Sequence, residues 1–344
     1  MKTPKLTSLE VAQAAQVSQA TVSRALRDSP LVKPETRARI QVIARELHYR
    51  TDRNAAGLRT RRSRTLALLL FEELPDEAQI NPFFLSMIGH IARAAARRSF
   101  DLLMSFQQLS DDWHTDYELS NRADGMILLG YGDYLKYTER LRNLAESDSH
   151  FVIWGPVVEN LPGHYLCCDN ALGARLATEH LLRLGRRRIA FVGGATAGSP
   201  EFQLRHRGFV AVLEEAGISP SPRLQVDAQS LEADGYRSVQ ALLDSGVPFD
   251  AVFAASDLIA MGVIHALQDR GLCVPQDVAV VGFDDILSAA DFNPPLTTVR
   301  QDTRLAGELL VENLIHLIDG KAVEPLLIAP ELVVRASCGA GSAS

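Results

Sequence analysis

Thr7-Ser8-Leu9-Glu10-Val11-Ala12-Gln13-Ala14-Ala15-Gln16-Val17-Ser18-Gln19-Ala20-Thr21-Val22-Ser23-Arg24-Ala25-Leu26 is the stretch on which the fold turns. Thr7 and Glu10 stand at the spacing of a capping box, in which each satisfies a backbone donor that the first helical turn leaves open. The helix they start runs through Val11, Ala14 and Ala15 and breaks at Gln16-Val17. Ser18 is a good cap for a second helix, Gln19 to Arg27. On it Val22 and Leu26, four residues apart, share the inward face. Gln19, Ala20, Ser23 and Arg24 then point outward near the helix start. Two short helices around a tight turn, the second opened by polar residues, match a helix-turn-helix, whose second helix enters the DNA major groove by its N-terminus.

The outward side chains carry base-reading chemistry. Arg24 matches the paired acceptors of guanine and Gln19 the donor and acceptor of adenine, while Ala20 fits a thymine methyl. Ser18 and Thr21 suit phosphate contacts that set register, and Thr7 at the first helix start joins the candidate DNA contacts. The alternative is an ordinary solvated helix face. Pro34 is placed as the first residue of a third helix. Its Ile40, Ile43, Ala44 and Leu47 close a core against Val22 and Leu26.

The segment that follows, Tyr49 to Arg64, is basic and rich in Ala. Asp52 can cap a two-turn helix here, too short to hold in water unless it packs against something. Leu58 is its lone large apolar side chain and suits a minor-groove wedge, with Asn54, Ala55 and Arg59 beside the backbone. The alternative is a plain interdomain linker.

Working outward, the charge is unevenly spread. Residues 1–64 hold three Lys and eleven Arg against five acidic residues, a net +9, which leaves −16 on the remaining 280 of the 344. A basic head neutralises phosphates and an acidic body is repelled by them. The length suggests two or three units. Apolar runs such as Leu66 to Phe71 are far shorter than a membrane span. The N-terminal residues Met1 to Leu6 have no apolar core, so a secretory signal is not expected. Of the cysteines, Cys167 and Cys168 read as small apolar residues of a buried strand. Together with Cys273 and Cys338 they have neither metal-ligand spacing nor a disulfide pattern, so no metal and no cofactor is expected.

From Thr65 apolar runs alternate with amphipathic stretches. The runs are Leu66–Phe71, Leu102–Phe106, 125–129, Phe151–Trp154, Ile189–Val192, Ala251–Ala254 and 278–281. Helical periodicity falls between them at 171–184, 204–216, 258–270 and 304–318. This alternation predicts two doubly wound parallel sheets, with ligand beyond the strand C-termini, in the cleft between two lobes. Arg205, at the expected start of a helix, can donate twice to hydroxyls, and Asp284 can accept from two. Phe83, Phe84 or Trp154 can supply an apolar plate for a sugar ring. Each of these aromatics also reads as core. Ser256 and Asp257 belong to the cleft or only cap the helix that follows. The stretch Ser105 to His114 is distinctive without suggesting a role.

Several enzyme classes find no support. No phosphate loop with Lys-Ser/Thr, no Gly-x-Ser-x-Gly and no His-Glu-x-x-His occurs in the chain. Gly193-Gly194 after a strand reads as a strand-end turn.

The strings Ala20-Thr21-Val22-Ser23-Arg24-Ala25-Leu26, Val32-Lys33-Pro34-Glu35-Thr36-Arg37 and Leu47-His48-Tyr49 resemble the headpiece of the lactose repressor family. The resemblance extends from Leu6 to about Ala336. It implies an N-terminal all-α helix-turn-helix headpiece and an α/β two-lobed domain like the periplasmic sugar-binding proteins. The boundaries it implies are 1–50 for the headpiece, 51–64 for a hinge helix and 65–344 for the effector and dimerisation domain. The first lobe takes 65–168 with 300–323 and the second 169–299 with 324–344. By resemblance Asp52 to Arg59 form a hinge helix on operator DNA, with Leu58 inserted. Arg205 and Asp284 fall on ligand contacts, Phe83 and Phe84 on a first-lobe wall, Gln301 near the recrossing of the chain and Ser230 before Gly235-Tyr236. Three departures stand out: Gln16 where the family usually has Gly, Thr51 where it has Pro, and Gly57 before Leu58.

The resemblance implies a cytoplasmic, non-enzymatic homodimer on roughly palindromic double-stranded operator DNA. It would repress carbohydrate-utilisation genes under control of a mono- or disaccharide, without a membrane. The alternative is a co-repressor mode responding to a nucleobase, a phosphorylated metabolite or a protein co-effector. Residues 335–344 carry no heptad leucines, so a dimer without a C-terminal coiled coil is expected.

Overall fold

The computed structural model describes residues 7–26, 28–47, 49, 62–71, 80–106, 112–130, 137–157, 162–194 and 199–340. The chain divides into two units, Met1–Ser63 and Arg64–Ser344.

In the smaller unit three helices enclose one core: α1 (Ser8–Ala14), α2 (Gln19–Ala25) and α3 (Pro34–Glu46). Val11, Ala12, Ala15, Val22, Ala25, Val32, Ile40 and Ala44 are buried there, with Leu26, Ile43, Leu47 and Tyr49 packed against them. The Glu10 carboxylate accepts from Thr7 N at 2.7 Å and from Thr7 Oγ1 at 2.9 Å, and these bonds hold its pKa below the ordinary value. Ser18 Oγ accepts from Thr21 N at 3.2 Å, so α2 starts where the sequence places its cap. The helix ends at Ala25 rather than Arg27.

The turn between α1 and α2 is closed by two backbone bonds, Val17 N to Ala12 O at 3.0 Å and Gln16 N to Gln13 O at 3.2 Å. This is a Schellman closure, which needs a left-handed residue just past the helix. Gln16 occupies that place with φ +52°. The physical reason for a family glycine here is thereby evident: a Cβ in this conformation costs about 1–2 kcal/mol.

The larger unit begins with β1 (Thr65–Phe71), α4 (Pro82–Arg97), β2 (Asp101–Phe106), a π-helical turn (His114–Leu119), β3 (Met126–Gly130), α5 (Thr138–Glu146), β4 (Phe151–Trp154) and β5 (His164–Cys168). It continues with α6 (Asn170–Arg183), β6 (Ile189–Val192), α7 (Pro200–Glu215), β7 (Gln225–Val226), α8 (Glu232–Asp244), β8 (Ala251–Ala254) and α9 (Asp257–Asp269). It closes with β9 (Ala279–Asp284), α10 (Ser288–Asp291), β10 (Thr297–Arg300), α11 (Thr303–Ile318), β11 (Leu326–Ile328) and β12 (Glu331–Val333). Two six-stranded sheets result, in orders β11-β5-β4-β3-β1-β2 and β12-β10-β9-β8-β6-β7. Every pairing is parallel except β10 with β12. Strands buried on both faces by flanking helices explain the continuous apolar runs.

The chain passes between the sheets after β5, after β10 and after β11. The last passage corrects the sequence reading, which assigned 324–344 to the second lobe. Leu326, Leu327 and Ile328 pair with Leu166, Cys167 and Cys168, so the first lobe keeps the chain through Ile328. A second correction concerns α7. It starts at Pro200, in the favoured first helical position, and so Arg205 sits in its second turn rather than at its start.

Close helix packing sets the position of that arginine. A Cβ on Gly208 of α7 would lie 2.5 Å from the Ala171 carbonyl oxygen of α6. Glycine lets the two helices approach, and the approach brings Arg205 to Asn170.

Candidate functional site

On α2, Ser18, Gln19, Ala20 and Arg24 are exposed, while Thr21 and Ser23 are half-buried; Thr7 is exposed at the start of α1. The core pins the opposite face through Val22 and Ala25. A rigid helix therefore presents one guanidinium, one amide and one methyl group from its first two turns. Gln19 Nε2 also donates to Ser8 Oγ at 3.4 Å, which ties the start of α2 to α1. Asn54, Ala55, Leu58 and Arg59, and the hinge over 51–61, lie outside the described residues.

In the larger unit a polar cluster sits where the two sheets meet. Arg205 is fully buried. Its Nε donates to Asn170 Oδ1 at 2.8 Å, its Nη1 donates to the Ala255 carbonyl, and Nη1 lies 3.7 Å from Asp284 Oδ1. The Phe283 ring lies 3.7 Å from its guanidinium carbon, so the buried cation rests on an aromatic face. Gln301 Nε2 donates to Asp284 Oδ1 at 2.7 Å from the second passage between the lobes.

Asp284 ends β9 with φ +122°, and Asp285 follows at +56°. Such backbone is costly for residues with a Cβ and persists where side chains over-determine it. Here they do. Asp285 takes Arg300 Nε at 2.6 Å and Arg335 Nη2 at 2.7 Å, while Gln301 and Arg205 hold Asp284.

A chain of hydrogen bonds spans the lobes. Asn81, which caps α4 by accepting from Phe83 N, donates from Nδ2 to Ser230 Oγ at 3.1 Å. Ser230 donates to Ser256 Oγ at 2.9 Å, and Ser256 caps α9 by accepting from Ile259 N. Asp257 has no exposed surface and accepts from Thr298 Oγ1 and from Ile286 N at 2.9 Å. Burial first, then the neighbouring Asp284 charge, pushes its carboxyl well above the usual range. Both Ser256 and Asp257 thus have hydrogen-bond partners at the start of α9.

Phe83, Phe84 and Trp154 are all buried, with Phe83 packed 5.2 Å from Phe84 and 6.3 Å from Trp154 between ring centroids. They form a wall of the first lobe's core. The stretch Ser105 to His114 resolves into parts, with 107–111 outside the described residues. Trp113 packs under Arg140 and beside Tyr137, and His114 Nδ1 bonds Ser149 Oγ at 2.7 Å.

Sequence reasoning missed three residues here. Asn81 bridges the lobes and Asn170 orients Arg205; each precedes or opens a helix, which is the only sequence signal either carries. Glu201, one turn before Arg205 on α7, is buried beside Arg205 and Asp284. Among the described residues no cluster of three or more metal-ligating side chains occurs, and no helix is long and apolar enough to cross a membrane.

Comparison with known proteins gives two family matches. Residues 7–52 match bacterial regulatory proteins of the lacI family, and residues 178–338 match the periplasmic binding protein-like domain. The chain is 32% identical over 337 residues to the HTH-type transcriptional regulator CelR of Thermobifida fusca, covering 95% of this chain and 96% of that one. A solved CelR–cellobiose complex matches with TM-score 0.72 and 30% identity, covering 96% of this chain and 99% of that one. The lac repressor dimer bound to operator and an anti-inducer matches with TM-score 0.82 and 26% identity, covering 97% and 99%.

Proposed function

The chain belongs to the LacI family of bacterial regulatory proteins, and from that premise we propose that it is a cytoplasmic, sugar-released repressor of carbohydrate-utilisation genes. It is a sequence-specific DNA-binding transcriptional regulator that acts by binding and not by catalysis. Two copies place two headpieces on the halves of a roughly palindromic operator, since one α2 reaches too few bases alone. Arg24, Gln19 and Ala20 read base edges. Ser18, Thr21, Ser23 and Thr7 hold the backbone, and Asn54, Ala55, Leu58 and Arg59 act in the hinge.

The observation that carries the sugar reading is the buried Arg205–Asp284–Gln301 cluster at the meeting of the lobes. A fixed cation, a carboxylate and an amide offer the mixed donors and acceptors that a polyol's hydroxyls need. The CelR–cellobiose complex supports a disaccharide of this kind. Sugar favours one arrangement of the lobes and operator another, so each lowers the affinity of the other by the same factor. The Asn81–Ser230 bond is a contact between lobes that such a change would make or break.

Thermal melting with cellobiose and other neutral mono- and disaccharides tests the reading. One of them is expected to raise the melting temperature, because a ligand that binds only the folded state stabilises it. Stabilisation by a nucleobase alone would replace the sugar reading with a co-repressor one.

A further inference from the structure

Among the described residues, only Glu201 has buried side-chain polar atoms with no hydrogen-bond partner in another residue. It is almost wholly buried, and neither carboxylate oxygen has a hydrogen-bond partner in another residue. Buried carboxylates normally accept several hydrogen bonds, and one left without them is a costly feature that calls for an explanation. Its place supplies one. Glu201 and Arg205 stand four apart on α7, so they share a face, and Arg205 is the residue locked to Asn170, Ala255 and Asp284.

Resting on the sugar-effector reading above, the geometry points to Glu201 as a specificity contact that accepts hydrogens from the hydroxyls of an uncharged polyhydroxy effector and excludes phosphorylated or carboxylated ones. The charge balance argues for the exclusion. Among the described residues the charged groups around the position are Glu201 and Arg205 from α7 and Asp284 from β9, with the neutral thiol of Cys167 from β5. Arg205 donates from Nε to Asn170 and from Nη1 to Ala255, and its charge already lies beside Asp284. An anion entering this cluster meets two carboxylates against one guanidinium. A polyol instead brings the donors that Glu201 lacks.

Protonation follows the same logic. Burial, the largest effect, pushes the Glu201 carboxyl up to about 7, with Asp284 adding to the rise and the residue's own backbone N–H and Arg205 opposing it. Its folded-state value thus lies above the ordinary 4.5. The folded protein binds the extra proton between these values, so this group's contribution to stability is lost as pH rises from 4.5 to about 7. Hydroxyl donors favour the carboxylate, lower its pKa and release the proton. Affinity for the sugar therefore rises with pH through neutrality.

The test compares full-length wild type with Glu201→Gln by melting and calorimetric titration at pH 6 and pH 8. The probes are cellobiose, glucose, ribose and glucose 6-phosphate. Without ligand, Glu201→Gln is expected to melt higher than wild type at pH 8, because the uncompensated charge is gone. With the neutral sugar that binds wild type, the variant is expected to lose roughly tenfold or more in affinity, the worth of a hydrogen bond to a charged group. The pH dependence of affinity is expected to vanish with it. A lower melting temperature for the unliganded variant at pH 8 would show that Glu201 has a structural role and overturn the proposal. Equal sugar affinity in both proteins would overturn it while leaving the sugar reading intact. Binding of glucose 6-phosphate in preference to the neutral sugars, or no binding of any neutral sugar, would overturn both.

Discussion

Arg205 and Arg24 show two opposite uses of one side chain. Arg205 has no exposed surface, and its charge is tolerable because Asn170, Ala255, Asp284 and the Phe283 face surround it. Removing a partner from such a buried pair strands the other charge, which is why it is held from several elements at once. Arg24 is exposed on α2, where water solvates it until DNA arrives. Arg24→Ala is expected to weaken operator binding by about 1–3 kcal/mol and to relax preference at one base position. Binding measured across single-base operator variants checks this. A uniform loss over all sequences would make Arg24 a phosphate contact. The exposed placement of Arg24 was legible in the sequence because it follows from helical spacing around Val22. That of Glu201 was not, since a lone acidic residue on a helix ordinarily faces water and its burial depends on packing from distant strands.

At the scale of elements, the seven apolar runs read from the sequence all coincide with strands. Six are covered on both faces and need unbroken apolar residues, whereas β2, at a sheet edge, leaves Met104 and Phe106 exposed. β10 was not recognised. Its Thr297 and Thr298 are fully buried, but only because Ser337 bonds Thr297 N and Asp257 accepts from Thr298. β11 was missed because it is only three residues long, Leu326-Leu327-Ile328, too short for a periodicity to mark it. That omission misplaced the last passage between lobes.

Two substitutions probe element junctions. Gln16→Gly relieves the left-handed turn after α1 and is expected to stabilise the headpiece by up to about 1 kcal/mol, a gain that chain entropy partly offsets. Hydrogen exchange of headpiece amides reads it, and slower exchange is the expected result. Gly208→Ala forces α6 and α7 apart against the Ala171 carbonyl and is expected to cost about 1–3 kcal/mol. It should also weaken sugar binding, since Arg205 loses its approach to Asn170. A variant that melts lower yet binds sugar normally would separate the helix crossing from the site.

At the scale of the molecule, the charge asymmetry and the two-lobed architecture serve one purpose. A head of net +9 draws the chain to phosphate and a body of −16 keeps the rest of it away, so binding is directed through the headpiece. A basic helical head and parallel sheets behind it were readable from charge and periodicity, and the periplasmic-binding-protein-like architecture from the family resemblance. The chemistry at the lobe junction was not, because Asn81, Asn170 and Glu201 are single polar residues without a repeating pattern, assembled by chain passages that only the tertiary structure shows. On the proposed function, what joins the two units is a coupling free energy between sugar and operator.

The measurement that tests that coupling most directly is reciprocal. A duplex is first selected by the protein from a random pool, and its affinity is measured at fixed salt without sugar and with a saturating neutral sugar that stabilises the protein. The affinity of that sugar is then measured for the free and the DNA-bound protein. The account predicts a roughly 5–150-fold loss of DNA affinity in sugar and an equal loss of sugar affinity on DNA. A DNA affinity unchanged by saturating sugar, or strengthened by it, would contradict a sugar-released repressor.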